Sequence, residues 1–493
     1  MKLSFTSARL MAAGGFLLAG SVLVADGTRF SDFTPLAASA GPTVTEDAPL
    51  TLGNPEFRQE SIANRHAQLS ALKPNGVAAA NNASAWDMNT LNETGRRKGR
   101  FLFTVFEEDW AGVQRHDLKT GETDTIWVGP TAAAADSFDP SFWTPWGTFI
   151  TAEESWGVAA GGFNSPYGRL FEFKNPTTAP GIYTPVTAFS NAGAKFTHKN
   201  VIPRTAHEGI QFDEDGNMYF IDELNGGNIY KYTPKASFKR VLDGKADYFA
   251  AGTTYVMRVG NGLTPNAVGA YTWVPFTDNA GKGLPGALTI TDSNGVTSVD
   301  ASNTTNLAAF KGTDYQRPED IQIQTLEGRQ YLYFTTTTTS EVYRVDLGHN
   351  TISLFASRAT IDLATGLPVG TQLTSPDNLA VDHEGNIYIV EDQAGGVNCD
   401  IWFAKDLNKD GDLLDAGEGI GRWASNGTPG SEFTGLYFDP FNKRRAWVNI
   451  QHPSSGNDRT IEITIRGGHY DDEQNDDRGH DDSDDDRDYD DRD

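Results

Sequence analysis

The sequence predicts an all-β chain, folded as a six-bladed β-propeller with an inserted lobe and disordered termini. Three observations point there. From Gly99 onward, short apolar runs alternate with Gly, Asp and Asn turns, and no long stretch keeps helical periodicity. The 51 glycines and 23 prolines supply the many turns such a fold needs. Most informative is an internal repeat of strand, turn, strand, polar loop and strand. Copies begin at Glu208 (EGIQFDEDGNMYFID), Glu319 (EDIQIQTLEGRQYLYF), Asp377 (DNLAVDHEGNIYIVED) and Thr434 (TGLYFDPFNKRRAWVN), with weaker ones at Gly99 and Trp146. Six antiparallel units of this kind are expected to form a propeller rather than an open sandwich array.

The flanks read differently. Residues 1–25 have the pattern of a signal peptide, with Lys2 and Arg9 ahead of an apolar run from Leu10 to Val24. No twin-arginine pair is present, so general secretion to a secreted or periplasmic location is expected. Residues 26–95, rich in Ala, Thr, Ser, Pro and Asn, read as a low-complexity leader with little regular structure. The propeller is assigned to residues 96–466. Its insertion, residues 236–316, is too long for a simple connection and is expected to complete a blade and add a lobe. Residues 467–493 are mostly Asp, Arg and Gly and read as a disordered acidic tail, either cation-binding or merely solubilising.

Net charge of −26 excludes a phosphate-backbone binder, so no nucleic-acid partner is expected, and it favours hard cations. The single cysteine, Cys399, rules out an internal disulfide or a cysteine-built zinc site and is expected to be a buried apolar residue. No later stretch is long and apolar enough to span a bilayer. A monomer acting on a small molecule is the expected state.

The repeat register places the chemistry. In a propeller the first strand of each blade lines the central channel, and Glu208, Glu319 and Asp377 fall at one equivalent position of that strand. Carboxylates forced together repel and call for a cation, and an all-oxygen set selects calcium. The ends of the second strands carry Glu153 and Glu154, Asp222 and Glu223, Glu391 and Asp392, and Gln451 with His452. Of these, Glu153, Glu154 and Glu223 are candidate metal ligands, and the rest read equally as turn caps. His207 and Arg317 sit beside two inner carboxylates and are candidate catalytic residues. Arg317 is suited either to clamp a phosphate or to pair with Glu319. Asp406, Asn408, Asp410 and Asp412, with Gly411 at the sixth position, match the first half of an EF-hand loop, although Glu418 is displaced by one. This reads as a structural calcium loop or a plain acidic turn. No nucleophile elbow, phosphate loop or H-E-x-x-H motif is present, so hydrolysis would rest on metal ions and electrostatics.

Taken in order, TPWGTFITAEE (144–154), HEGIQFDEDGNMYFIDE (207–223), RPEDIQI (317–323), SPDNLAVDHEGNIYIVED (375–392) and TGLYFDPFNKRRAWVNIQHP (434–453) resemble the PhoX-type alkaline phosphatases. The resemblance implies a six-bladed propeller whose axial site holds calcium ions and a pair of irons and hydrolyses phosphomonoesters. It implies that Glu208 and Glu319 are direct or bridging metal ligands, Glu153 and Glu154 further ligands, and Arg317 the phosphate clamp. Iron-binding members show TCEE where this chain has TAEE. Ala152 offers no thiolate, which leaves calcium as the expected cofactor and the iron pair without its sulfur ligand. The expectation is thus an exported, calcium-dependent phosphatase. Two alternatives stand beside it: a non-catalytic calcium-binding surface propeller and a lactonase-like hydrolase.

Overall fold

The computed structural model describes residues 27–466, apart from 44, 73–82, 130–134, 157–165, 182–194, 293 and 393–398. The proposed signal peptide and acidic tail lie outside the described residues. Nearly all described residues belong to one unit, Arg29–Arg466.

Strands dominate, and they follow hydrophobic patterning closed by specific turns. In DEDGN and DHEGN, Asp213 and Asp382 each accept the backbone N–H of the Asn four residues on, at 2.8 and 2.9 Å. Each also accepts the side-chain amide of that Asn and a tyrosine hydroxyl from the following strand. Gly216 and Gly385 take the left-handed conformation (φ 81° and 74°) that closes these turns. One turn chemistry, repeated, thus builds two equivalent hairpins.

Four antiparallel sheets of four or five strands and one nine-stranded sheet hold most strands. The nine-stranded sheet is two antiparallel runs, joined where Gly269–Pro275 pairs with Thr351–Ala356. Every run starts on an inner strand: Trp86–Leu91, Phe138–Trp143, His207–Phe212, Pro318–Leu326, Pro376–Val381 and Glu432–Phe438. Each inner strand lies against the next, and the last lies against the first. The result is an all-β, propeller-like arrangement with few helices. Apolar clusters fill the spaces between neighbouring runs, for example Phe103, Trp127, Phe138 and Phe171 between the first two.

One expectation changes. The segment 26–95 is not structureless. Phe57–Asn64 pairs with Arg459–Ile465 as the outer strand of the last run, and Leu50–Leu52 extends the run before it. Trp86–Leu91 is itself the first inner strand. Phe30, Leu50 and Phe57 are buried with Trp423 and Phe438. Single large apolar residues spaced along a Thr/Pro/Ala-rich segment suffice for an edge strand, whose partner supplies the periodicity. Within residues 236–316, Gly252–Val259 is the fourth strand of the run that begins at His207, followed by a fifth strand, a hairpin (Thr289–Thr291 with Thr297–Val299) and a short helix (Ala301–Thr304). The hairpin end is tied to the loop before His207 by backbone bonds between Arg204 and both Val299 and Ala301.

The last inner strand approaches the first most closely at a glycine. A Cβ on Gly435 would come within 2.7 Å of Asn89 N and 2.9 Å of Asp87 O on the first inner strand, and its φ is 58°. Gly435→Ala is therefore expected to cost about 3 kcal/mol. Urea unfolding should show a lower midpoint with an unchanged slope, and an unshifted midpoint would contradict this close approach.

Candidate metal centre

Each inner strand breaks register near its start, with two residues opposing one on the second strand. Such a bulge bends a strand and re-aims a side chain. In five of these strands the first bulged residue is acidic: Asp87, Asp139, Glu208, Glu319 and Asp377. The sixth has Gly435. The residue two before the acid is left-handed at Ala85, Ser137, Arg317 and Ser375 (φ 50°, 35°, 52° and 42°). That residue's carbonyl accepts the N–H of the residue that follows the second strand. The resulting pairs are Glu107 to Ala85, Glu154 to Ser137, Thr337 to Arg317 and Asp392 to Ser375, at 2.8–3.1 Å. Glu223 bonds Ala206 in the same way at 3.0 Å. The backbone therefore builds two tiers of side chains in register.

These tiers converge on a cavity of about 170 Å³. Its lining includes the five bulge acids with Glu107, Glu154, Glu223, Asp392 and Glu432, together with Arg317, Thr434, Gln451 and His452. Three carboxylate triads place ligand oxygens within 4.8 Å of one another: Asp87–Glu107–Asp139, Glu154–Glu208–Glu223 and Glu208–Glu319–Asp377. Glu208 belongs to two of them. Arg317 donates through Nε to Glu223 at 3.0 Å, lies 3.4 Å from Glu319, and stacks 5.1 Å from the Trp156 ring. Trp156 in turn donates to Glu154 at 2.7 Å.

Burial, followed by neighbouring carboxylates, drives the carboxyls of Asp87, Asp139, Glu154, Glu208, Glu319 and Asp377 well above the usual range. Burial and then Asp392 push Glu432 up to about 11. Asp87 Oδ1, Asp139 Oδ1, Glu208 Oε2 and Asp392 Oδ1 are buried with no hydrogen-bond partner among the described residues. Uncompensated buried carboxylate oxygens cost several kcal/mol each, and a bound cation removes that cost. The donor set is oxygen throughout, apart from His452. Cys399, the chain's one cysteine, is fully buried in an apolar cluster with its Sγ bonded to Glu391 O and Phe433 N, and Ala152 lies in another such cluster. A hard cation such as calcium fits this centre, and an iron pair that needs a thiolate does not.

The structure brings Glu154, Glu208, Glu223, Glu319, Asp377 and Arg317 together as expected from the sequence. It moves two candidates away. Glu153 points to the other side of its strand, where Arg169 holds it through Nε at 2.8 Å and Nη2 at 2.5 Å and two backbone N–H groups complete its bonds. His207 alternates away from Glu208 and packs on Phe220, with ring centroids 5.2 Å apart. Burial lowers its pKa to about 3, so it is a neutral core residue outside the cavity lining. Asp406, Asn408, Asp410 and Asp412 lie in the loop after Asp400–Lys405, also outside that lining. They staple that loop internally: Asp406 accepts from Gly411 N, Asp410 from Asn408 Nδ2 and Asp412 N, and the inward-turned Glu418 from Leu407 N and Asp415 N. The sequence reading leaves out Asp87, Glu107, Asp139 and Glu432 as site residues and leaves Asp392 open between a channel-facing group and a turn cap. The signal was present: WDMN and FDPS carry the acid at the same second position of the inner strand as PEDI and PDNL, and Glu107 follows Phe101–Phe106 as Glu154 follows Phe149–Glu153.

Fold and site together define a propeller-like protein with a buried, carboxylate-rich cavity whose clustered oxygens could hold a metal ion. Residues 142–454 match the family model described as alkaline phosphatase PhoX, and the chain belongs to that family. No curated protein matches the chain. Among solved structures, a calcium-binding regucalcin from Agrobacterium tumefaciens is 12% identical over 77% of this chain and 90% of its own, with a TM-score of 0.37. A PQQ-bound aldose sugar dehydrogenase from Streptomyces coelicolor is 12% identical over 85% of this chain and 99% of its own, at 0.35. Likenesses this distant say nothing of this chain's activity.

The raised carboxyls set a pH dependence. Each such acid holds its proton more tightly folded than unfolded, so its stabilising effect is complete below the ordinary carboxylate pKa of about 4 and is lost as pH rises towards the raised value. In chelator, the thermal midpoint is expected to fall between about pH 5 and pH 8. Calcium should reverse that fall, with the larger gain at the higher pH. A calcium shift that is independent of pH would count against carboxylate binding.

Proposed function

We propose that this chain is an extracytoplasmic, calcium-dependent phosphatase acting on phosphomonoesters, and that its strand runs close as a six-bladed propeller around the catalytic centre. The observation that carries the reading is the pair of triads sharing Glu208, with unpartnered oxygen inside and Arg317 at the rim. Family membership supports the reaction class. The export pattern of residues 1–25 supports the location.

Bound cations would draw charge from the phosphoryl oxygens and make a bound water acidic. The chain's own residues do the rest. Glu208 holds the two triads in one fixed relation. Glu223 orients the Arg317 guanidinium through Nε, and Trp156 supports its face. Arg317 Nη1 takes part in neither Glu223 bond and is placed to bind a phosphate oxygen and the charge that develops on it.

Hydrolysis of 4-nitrophenyl phosphate by purified protein is the test. Calcium-loaded protein should turn it over, and chelated protein should not. Glu208→Gln should lower kcat by at least about 100-fold, as expected when a charge that organises the transition state is lost. Arg317→Ala should raise KM and lower kcat together. Calcium-dependent stabilisation with no turnover of any phosphomonoester would select the non-catalytic calcium-binding reading, which the missing thiolate at Ala152 favours. Lactone turnover alone would select the lactonase-like one.

A further inference from the structure

The carboxylate ring is incomplete on one side. The sixth inner strand carries Thr434 and Gly435 where the other five carry an acid, and Gly435 is fixed there by the backbone of the first strand. Along that side the cavity is lined by Glu432, Thr434, Gln451 and His452. Thr434 and Gln451 are already committed: Thr434 Oγ1 donates to Trp86 O at 2.7 Å, and Gln451 Nε2 donates to Asp87 and Glu107. The side chain of His452 is half exposed at this edge.

His452 is held in a costly way. It is a non-glycine residue at φ 55°, immediately after the strand Arg445–Gln451. A left-handed conformation is strained for a residue with a side chain and persists only where the surroundings enforce it. Here Asp458 Oδ1 accepts the His452 N–H at 2.9 Å, and the imidazole Nε2 faces Glu432 Oε1 at 3.6 Å. An acidic group facing one ring nitrogen orients the imidazole and leaves the other nitrogen to act on a ligand.

We propose that His452, oriented by Glu432, is the general acid that protonates the leaving-group oxygen of the phosphomonoester, and that the leaving group points out over the sixth inner strand. This rests on the phosphatase reading above. Arg317 immediately precedes the fourth inner strand, two runs away, so phosphate clamp and acid approach the phosphorus from different sides. As the P–O bond to the leaving group breaks, the Nδ1 proton passes to that oxygen and a neutral alcohol departs. Water supplies the oxygen that enters phosphorus, and the proton it loses restores the imidazolium. The sum is one water consumed per ester.

Leaving-group dependence tests this. An alkoxide needs protonation far more than 4-nitrophenolate does. His452→Asn is expected to lower kcat/KM for an alkyl ester, glycerol 2-phosphate, by about 100-fold, and for 4-nitrophenyl phosphate by much less. His452→Gly should show the same split. Glycine accepts φ 55° without strain, so its thermal midpoint should hold or rise and misfolding is excluded as the cause. Added imidazole should restore part of the alkyl-ester rate in His452→Gly. Equal losses on both esters, or no loss on the alkyl ester, would overturn the assignment. Wild-type protein that hydrolyses neither ester would overturn the phosphatase reading and this inference with it, so the two failures are distinct.

Discussion

Ten carboxylates of the described chain border one cavity of about 170 Å³, and only Arg317 and His452 among its lining residues can carry positive charge. Two like charges 4 Å apart repel by about 4 kcal/mol at an effective dielectric of 20. A ring of that kind does not survive fully ionised and dry. It keeps its protons or it takes up cations, and the rest of the structure follows from which of these holds. Raised carboxyls, unpartnered oxygens and the shared position of Glu208 are three expressions of the same constraint.

The backbone holds this arrangement against its own repulsion. Five bulges aim five acids inward, and left-handed residues at Ala85, Ser137, Arg317 and Ser375 set the approach. Neighbouring inner strands are tied by polar groups next to those acids: Asp320 accepts from Leu379 N, Asn378 accepts from Gly435 N, and Asn89 donates to Gly435 O. The N-terminal segment closes the outside by pairing Phe57–Asn64 with Arg459–Ile465. Strain at the centre is thus offset by packing at the rim, as is common at functional sites.

Much of this was legible in the sequence. The repeat gave the inner-strand register, and register alone identified Glu208, Glu319 and Asp377. What escaped did so for physical reasons. Asp87 stands in a strand whose hairpin partner lies across a turn of charged residues, inside a segment whose composition looks unstructured. Asp139 precedes a proline, which hides its strand. Glu153 and Glu154 are adjacent and differ in role only by strand alternation, which puts one on Arg169 and the other in the cavity. His207 is chemically suggestive, but a residue next to an inward carboxylate on a strand faces away from it. The cysteine-to-alanine departure at Ala152 was legible at once, and the all-oxygen donor set agrees with it.

The central claim is that cations replace protons on this ring. Calorimetric titration of chelator-treated protein with calcium, run near neutral pH in two buffers of different ionisation enthalpy, measures both events together. The account predicts uptake of at least two calcium ions per chain, since two of the three triads share Glu208 and the third shares no residue with them. It also predicts that protons are released as calcium binds. Calcium uptake without proton release, or no uptake at all, would contradict it.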